Sequence, residues 1–448
     1  MGGKPCESTS RRRPTRETPN PPPSPRQART ASLNQIAPPD PLDLGRAGVP
    51  PTIADVVALA RSDIQASLSE DGLARIEAGH RALMAATEGG APIYGLTTGL
   101  GAAVDTALQA SEARQRRIPL ARAVGVGPPA PREDVRAMIA ARLMGLCAGR
   151  SDAAALLGAQ LAAAALSFEA YRGNLSPLDP RATEARPAPG QALAASRIMA
   201  LLADGALPRP GGPRRLQDPL SFRCVASVAG AALAALEAAR TSVEIELGAG
   251  ADNPAVFAAD GSVLSNGNFD TTHLALALEG LGLSLARVAA LSVERIMQLM
   301  SPGSSGLPRF LAVGEGRNGL ATLQKTASAL MAEIQHLANP MPVVLSPVAD
   351  RVEDYGTMAP AIVRKTRGIV AHMRLLTAVE MLVSAHAVDL RGETELGCGT
   401  GPLHAAIRAL VPPLDDDRPS APDIAALEEA IAGGLIDRDG FTAGTPAV

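Results

Sequence analysis

The residues best suited to chemistry stand in glycine-rich and polar loops. Ile93 to Gly101 reads I-Y-G-L-T-T-G-L-G, in a chain with three tyrosines and no tryptophan. Glycine permits positive φ and a close approach of backbone to ligand. Tyr94 on such a loop is a candidate acid/base group held over a pocket. The same stretch also reads as an ordinary turn between two helices. Four more polar clusters follow: Gln217-Asp218-Pro219 with Arg223 just beyond, Asp252-Asn253-Pro254, Ser265-Asn266-Gly267-Asn268-Phe269-Asp270, and Val352-Glu353-Asp354-Tyr355-Gly356-Thr357-Met358. Polar loops at the ends of long helices are where helical bundles place chemistry. A helix N-terminus also favours an anionic group such as a substrate carboxylate. Taken singly, each cluster is equally a cap followed by a turn.

The elements that must position these loops are helices. Thr52-Ile53-Ala54-Asp55 fits a capping box with aspartate in place of glutamate. Helical patterns follow at 69–87, 108–122, 132–148, 152–170 and 190–204. The segments 171–190 and 207–215, rich in proline and glycine, read as loops. Beyond Ser221 the helices lengthen, to 224–247, 270–300, 316–337 and 360–390, with apolar residues at i, i+3, i+4 spacing. Several are at least twice the ordinary mean of roughly 11–12 residues. Helices this long and this apolar imply a deep bundle, shared between subunits, since a monomer would leave much of that surface wet. From Leu403 onward, shorter amphipathic helices flank an acidic, proline-containing loop at 412–422.

Composition narrows the class. Aromatic residues make up 2% of the 448-residue chain and the net charge is −3. That is a helix former's composition, with no electrostatic case for nucleic acid. Cys6, Cys147, Cys224 and Cys398 form no C-x-x-C pair and read as free thiols of a reducing, cytoplasmic compartment. The six histidines make no ligand spacing, so no metal is expected. The apolar run Ala153–Phe168 is too short to span a bilayer and reads as a buried helix, so no membrane partner is expected. Residues 1–48 differ from the rest. Eleven prolines fall in the first fifty residues, beside Arg11-Arg12-Arg13. They read as a disordered tail that buries too little apolar surface to offset its ordering entropy. Residues 49–448 read as a single helical domain.

Taken together and in order, Y-G-L-T-T-G-L-G, S-P-L-D-P-R, P-G-Q, Q-D-P-L-S-F-R-C, A-D-N-P-A-V-F, N-G-N-F-D, S-S-G-L-P-R-F and V-E-D-Y-G-T-M resemble the aromatic amino acid ammonia-lyase family, the histidine, phenylalanine and tyrosine ammonia-lyases. The resemblance runs from about Thr52 to near Leu435. It implies an all-α fold, a fumarase/aspartase-like bundle of long central helices, and a homotetramer whose active sites collect loops from three subunits. It implies elimination of ammonia from an amino acid of the histidine type, as in histidine catabolism, to give an unsaturated acid. By this resemblance Tyr94 would take a β-proton from the substrate, for which a phenol of ordinary pKa near ~10 needs a stabilising environment. Arg223 would bind the substrate carboxylate, Glu353 would face the substrate amine or adjust neighbouring groups, and Gln217, Asn253 and Asn268 would line the pocket. Arg122 matches a position that discriminates side chains. With Arg223 it would favour a substrate carrying a second anionic group.

The sequence also departs from the family. The family's electrophile is a methylidene-imidazolone ring made from an Ala-Ser-Gly tripeptide, and this sequence contains no Ala-Ser-Gly. It passes from Gly149-Arg150-Ser151-Asp152 straight into what resembles the far half of a later core helix. A tyrosine expected in Q-D-P-Y-S is Leu220. No cofactor of the chain's own making is therefore expected. Three readings follow: an ammonia-lyase by descent, a catalytically silent subunit or binding partner of an intact, full-length lyase, and a lyase of different chemistry that needs no electrophile.

Overall fold

The computed structural model describes residues 42–43, 52–61, 64–90, 92–93, 96–99, 106–108, 150–341, 347–392 and 394–435. The expected helices at 108–122 and 132–148 lie outside these residues, as does the expected tail apart from Leu42–Asp43. Those two residues pair in parallel with Ala66–Ser67, as strands β1 and β2.

Besides short helices at Pro180–Glu184 and Pro302–Ser305, the described helices are α1 (Ile53–Arg61), α2 (Glu70–Glu88), α3 (Arg150–Tyr171), α4 (Gln191–Leu202), α5 (Leu220–Arg223), α6 (Val225–Gly248), α7 (Thr272–Leu299), α8 (Leu323–Ala338), α9 (Ala359–Arg391), α10 (Thr400–Leu410) and α11 (Ala421–Ala432). The capping box at the start of α1 is formed. The Thr52 N–H donates to Asp55 Oδ2 at 2.7 Å, and the Asp55 N–H donates back to Thr52 Oγ1 at 3.3 Å. The segment 171–190 is more ordered than its prolines suggest. It contains a 3-10 turn at Ser176–Leu178 and a short helix at Pro180–Glu184, which has a proline at its first position and Asp179 as its cap. Helix α8 begins seven residues later than its apolar pattern predicts. Gly314, Gly316 and Gly319 all take positive φ just before it, a backbone that no α-helix continues through. A small antiparallel hairpin, β3 (Ala255–Phe257) and β4 (Ser262–Leu264), is the remaining strand structure among the described residues.

The core is a bundle in which α7 and α9 run parallel, with polar ties at matching heights. At their N-terminal ends Thr271 Oγ1 lies 3.0 Å from Thr357 Oγ1, and Thr272 Oγ1 lies 2.7 Å from the Tyr355 hydroxyl. A quarter of the way along, Lys365 donates to Glu279. Near the C-terminal end of α7 and about two-thirds of the way along α9, Arg295 donates to Glu380. Helix α3 is parallel to α9 as well, through Gln160 to Thr377 at 2.5 Å and Ser167 to Glu380 at 2.8 Å. Helix α6 runs antiparallel to α7, since Ser242 near its end reaches His273 near the start of α7 at 3.0 Å. Between them lies a continuous cluster of Ala, Leu, Ile and Val with Phe168, Tyr171 and Phe222. The alanines let these helices approach closely, and P-G-Q serves the same end. Gly190, at positive φ before α4, has its Cα so near α6 that an added Cβ would stand 2.2 Å from the Gly230 carbonyl oxygen.

Among the described residues, three helices are long and apolar enough to cross a membrane: Ala153–Tyr171, Thr272–Leu299 and Ala359–Arg391. The first and third are 89% and 72% buried within the protein, so their hydropathy is that of a core. Helix α7 differs, with 39% of its apolar window buried. Its outer stripe runs through Leu276, 67% exposed, Gly280, Leu283, 42% exposed, and Arg287.

Candidate active site in two halves

The candidate residues fall into two groups at opposite ends of the bundle. The first surrounds α5. Its four residues divide cleanly: Ser221 and Phe222 are buried, while Leu220 and Arg223 face outward. Phe222 stacks on Tyr171 with centroids 4.3 Å apart and meets Phe168 edge-on at 5.2 Å. The Ser221 carbonyl accepts from Arg295 Nη1 at 3.2 Å. With two side chains committed to the core, the turn projects Arg223 to solvent beside exposed Gln217. Asp218 between them is 5% exposed. Burial pushes its carboxyl upward, against the backbone hydrogen bond from Asn174 and the positive charges of Arg214, Arg215 and Arg223, which pull it down. Arg214 lies over the Tyr171 ring at 5.0 Å and donates to the Ser304 carbonyl. Arg215 donates to the Gly303 carbonyl at 2.6 Å. The short helix Pro302–Ser305 is thus sewn to the Q-D-P segment through arginine donors. Leu220, at the position where the family's pattern has tyrosine, is 62% exposed.

The second group forms where α7 and α9 begin. Asn253 Oδ1 accepts from the Asn266 N–H at 3.0 Å, Asn266 Nδ2 donates to the Asp252 carbonyl at 2.9 Å, and the Asn268 N–H donates to Asn266 Oδ1 at 2.8 Å. Asn266 is the hinge pin of the pair of loops. Asn253 is half-buried and engaged in this scaffold, whereas the Asn268 side chain is exposed. Glu353 is exposed. Its backbone pairs with Val348, the Val348 N–H donating to the Glu353 carbonyl at 3.0 Å. Tyr355 and Thr357 fasten this segment to the start of α7. Nearby, burial first and Asp270 second push the Glu246 carboxyl upward, while His273 pulls it down. Asn253, Asn268 and Glu353 therefore share one end of the molecule, and Gln217 and Arg223 share the other. Thr272 and Arg295 mark these ends of α7 and stand about 35 Å apart at ~1.5 Å per residue.

Tyr94 and Arg122 lie outside the described residues. The described flanks of the Tyr94 loop are knitted by backbone: the Gly99 N–H donates to the Thr106 carbonyl at 3.0 Å, and the Leu108 N–H to the Thr97 carbonyl at 2.8 Å. The Ile93 N–H donates to Thr97 Oγ1 at 2.7 Å. Sequence reasoning passed over Asn266, Tyr355, Thr272, Asp218, Arg295 and Glu380. Asn266 and Tyr355 stand inside quoted motifs and were findable there. The Arg295–Glu380 pairing carries no local signal.

A bundle of parallel and antiparallel long helices, with its polar motif loops gathered at two ends, defines an ammonia-lyase-like class of fold. The chain belongs to the aromatic amino acid lyase family, which it matches over residues 52–154 and 150–409. The two matched stretches meet where α3 begins. Among its relatives is a histidine ammonia-lyase of Symbiobacterium thermophilum, 37% identical over 64% of this chain and 57% of the relative. Another, from Treponema denticola, is 30% identical over 85% of this chain and 95% of the relative. That second alignment runs over 482 positions, more than this chain has residues, so the relative carries sequence that this chain lacks. Against the first relatives, of Symbiobacterium and Anaeromyxobacter, the match spans little more than half of their length. The fold is similar to that of an ergothionase from Treponema denticola (TM-score 0.79, 24% identity, 88% of this chain and 99% of that one). It is also similar to a histidine ammonia-lyase from Trypanosoma cruzi (TM-score 0.76, 23% identity, 89% and 94%).

Proposed function

We propose that this chain is a histidine-type ammonia-lyase homologue that binds its amino acid between copies and depends on an intact, full-length homologue for ammonia elimination. The observation that carries this reading is the separation of the two halves. Arg223, whose planar fork suits a carboxylate, and Glu353, suited to an amine, stand at opposite ends of the same parallel helices. One amino acid, with a backbone unit of about 3.5 Å, cannot touch both within one chain. A second copy, lying antiparallel alongside the first, brings its Glu353 end to the Arg223 end of its neighbour and supplies the missing half. The apolar stripe of α7 provides a surface for such packing, in the manner of a shared bundle.

The family's electrophile does not fit this chain. Its Ala-Ser-Gly precursor is absent from the sequence, and no residue among those described stands in for it. The chain's own groups can bind and orient. Tyr94 can accept a proton once substrate is held. Expelling ammonia also requires covalent activation of a poor leaving group, which an intact homologue in a mixed assembly provides.

The test measures ammonia release from L-histidine by the pure chain and by the chain co-expressed with a full-length histidine ammonia-lyase inactivated at its own tyrosine base. The expected result is no turnover for the pure chain and partial restoration in the mixed assembly, lost again with Tyr94→Phe. Turnover by the pure chain would show that it needs no partner's electrophile and sink this reading in favour of a lyase of altered chemistry.

A further inference from the structure

The pair Arg295–Glu380 is buried to 1% and 0% exposure, and every oxygen of its carboxylate is used twice. Glu380 Oε1 accepts from Arg295 Nε at 2.6 Å and Ser167 Oγ at 2.8 Å. Its Oε2 accepts from Arg295 Nη2 at 3.0 Å and Ser292 Oγ at 2.5 Å. Ser384 Oγ lies 2.8 Å from Ser167 Oγ and closes the network. A buried ion pair is poor evidence of stabilisation, because desolvating two charges offsets most of their attraction, and apolar residues of similar volume often do as well. What such a pair can add is geometry. Here the geometry has an output, since the one guanidinium nitrogen that Glu380 leaves over, Nη1, donates to the Ser221 carbonyl. Ser221 stands two residues before Arg223 in a helix only four residues long, too short to hold its own direction.

We infer that Arg295 and Glu380 are positioning residues for Arg223: the buried pair, built on α7 and α9 and braced by α3, fixes the direction in which the α5 turn presents its guanidinium to a substrate carboxylate. This rests on the reading of Arg223 as the carboxylate-binding residue. Neither Arg295 nor Glu380 touches substrate. The bidentate Arg–carboxylate contact locks the guanidinium plane, and that plane sets where Nη1 meets Ser221. The Phe222 stack holds the turn from the other side. The backbone of the turn, and with it the direction in which the Arg223 side chain leaves it, is then fixed.

The experiment is calorimetric titration of the full-length protein with L-histidine and with histamine, which has the same ring and amine and lacks the carboxylate. Wild type should prefer histidine. The double variant Arg295→Met/Glu380→Met replaces the pair with apolar side chains of similar length. It should weaken histidine binding about tenfold, the scale of one charge-assisted hydrogen bond, and leave histamine binding unchanged. Arg223→Ala should do the same, and adding it to the double variant should cause no further loss, because both act through one contact. Arg295→Lys keeps a cation against Glu380 but has no third nitrogen for Ser221. It should also lose the preference, and it decides the matter if the double variant does not fold. A merely structural role would lower the melting temperature without changing the preference for histidine over histamine. If Arg223→Ala abolishes the preference while Arg295→Lys and the double variant retain it, the positioning role is wrong and the carboxylate reading stands. If Arg223→Ala keeps the preference, or wild type shows none, both fall together.

Discussion

At Glu169 a carboxylate is buried on α3 with no cation beside it. It accepts from the Gly397 N–H at 2.9 Å and from Thr400 Oγ1 at 3.0 Å. Burial pushes its pKa above the ordinary 4.5, against those two hydrogen bonds, which pull it down. The raised value means that the folded state holds its proton more tightly than the unfolded chain does. The site therefore favours folding below the unfolded pKa of about 4.5, and that contribution is lost as pH rises through the higher folded value. Glu169→Gln keeps an acceptor for both donors and never ionises. Its melting temperature should exceed that of wild type at pH 8, with the difference shrinking as the pH is lowered to 4.5. Equal curves at both pH values would show that the carboxylate is adequately solvated. At the residue scale, the sequence places its candidate groups in polar loops, and the structure reports their exposure. Arg223, Glu353 and Asn268, which stand in the polar clusters of the sequence, are exposed. Asn253 proves to be a scaffold residue as well, because its amide oxygen is engaged by the Asn266 backbone.

At the scale of elements, the family motifs turn out to be partly about packing. P-G-Q marks the place where α4 and α6 cross backbone to backbone. A Cβ on Gly230 would stand 2.5 Å from the Gln191 nitrogen and 2.6 Å from its Cα. Gly230→Ala should therefore destabilise the protein by about 1–3 kcal/mol, as overpacking does, in chemical denaturation followed by circular dichroism. A neutral substitution would show that the crossing can open. Helix existence and type were readable along the described chain because long apolar periodicity survives context. Helix ends were less so. The start of α8 was misplaced because its apolar pattern extends back through Gly316 and Gly319, whose positive φ values forbid helix. The ordered turn at Ser176–Leu178 and helix at Pro180–Glu184 were missed because prolines were read as breakers, when one of them sits at a helix start.

At the scale of the molecule, the long helices are only half explained by one chain. Helix α7 packs its inner face against α6, α8 and α9 and leaves Leu276 and Leu283 outward. Placing glutamates there, as Leu276→Glu/Leu283→Glu, should convert an oligomer to monomers in light scattering. The same variant should lose L-histidine binding, although both positions are distant from Arg223 along the chain. A monomeric variant that still binds histidine at full strength would show that one chain holds a complete site, against the two-ended arrangement.

What the sequence by itself determined was the class: long helices, polar loops in a set order, the family to which they belong, and the absence of an Ala-Ser-Gly tripeptide. These are local properties, carried by periodicity, by short motifs and by simple presence or absence. What only the tertiary structure decided was grouping. The described motif loops fall into two groups, because α7 and α9 run parallel, with Asn268 and Glu353 at their starts and the Arg223 turn near the end of α7. Arg295 and Glu380, 85 positions apart in the chain, meet only because the helices are parallel and in register. No spacing rule joins residues so far apart. Their contact arises from the packing of whole helix faces, and through it Arg295 reaches the Ser221 carbonyl in the turn that carries Arg223.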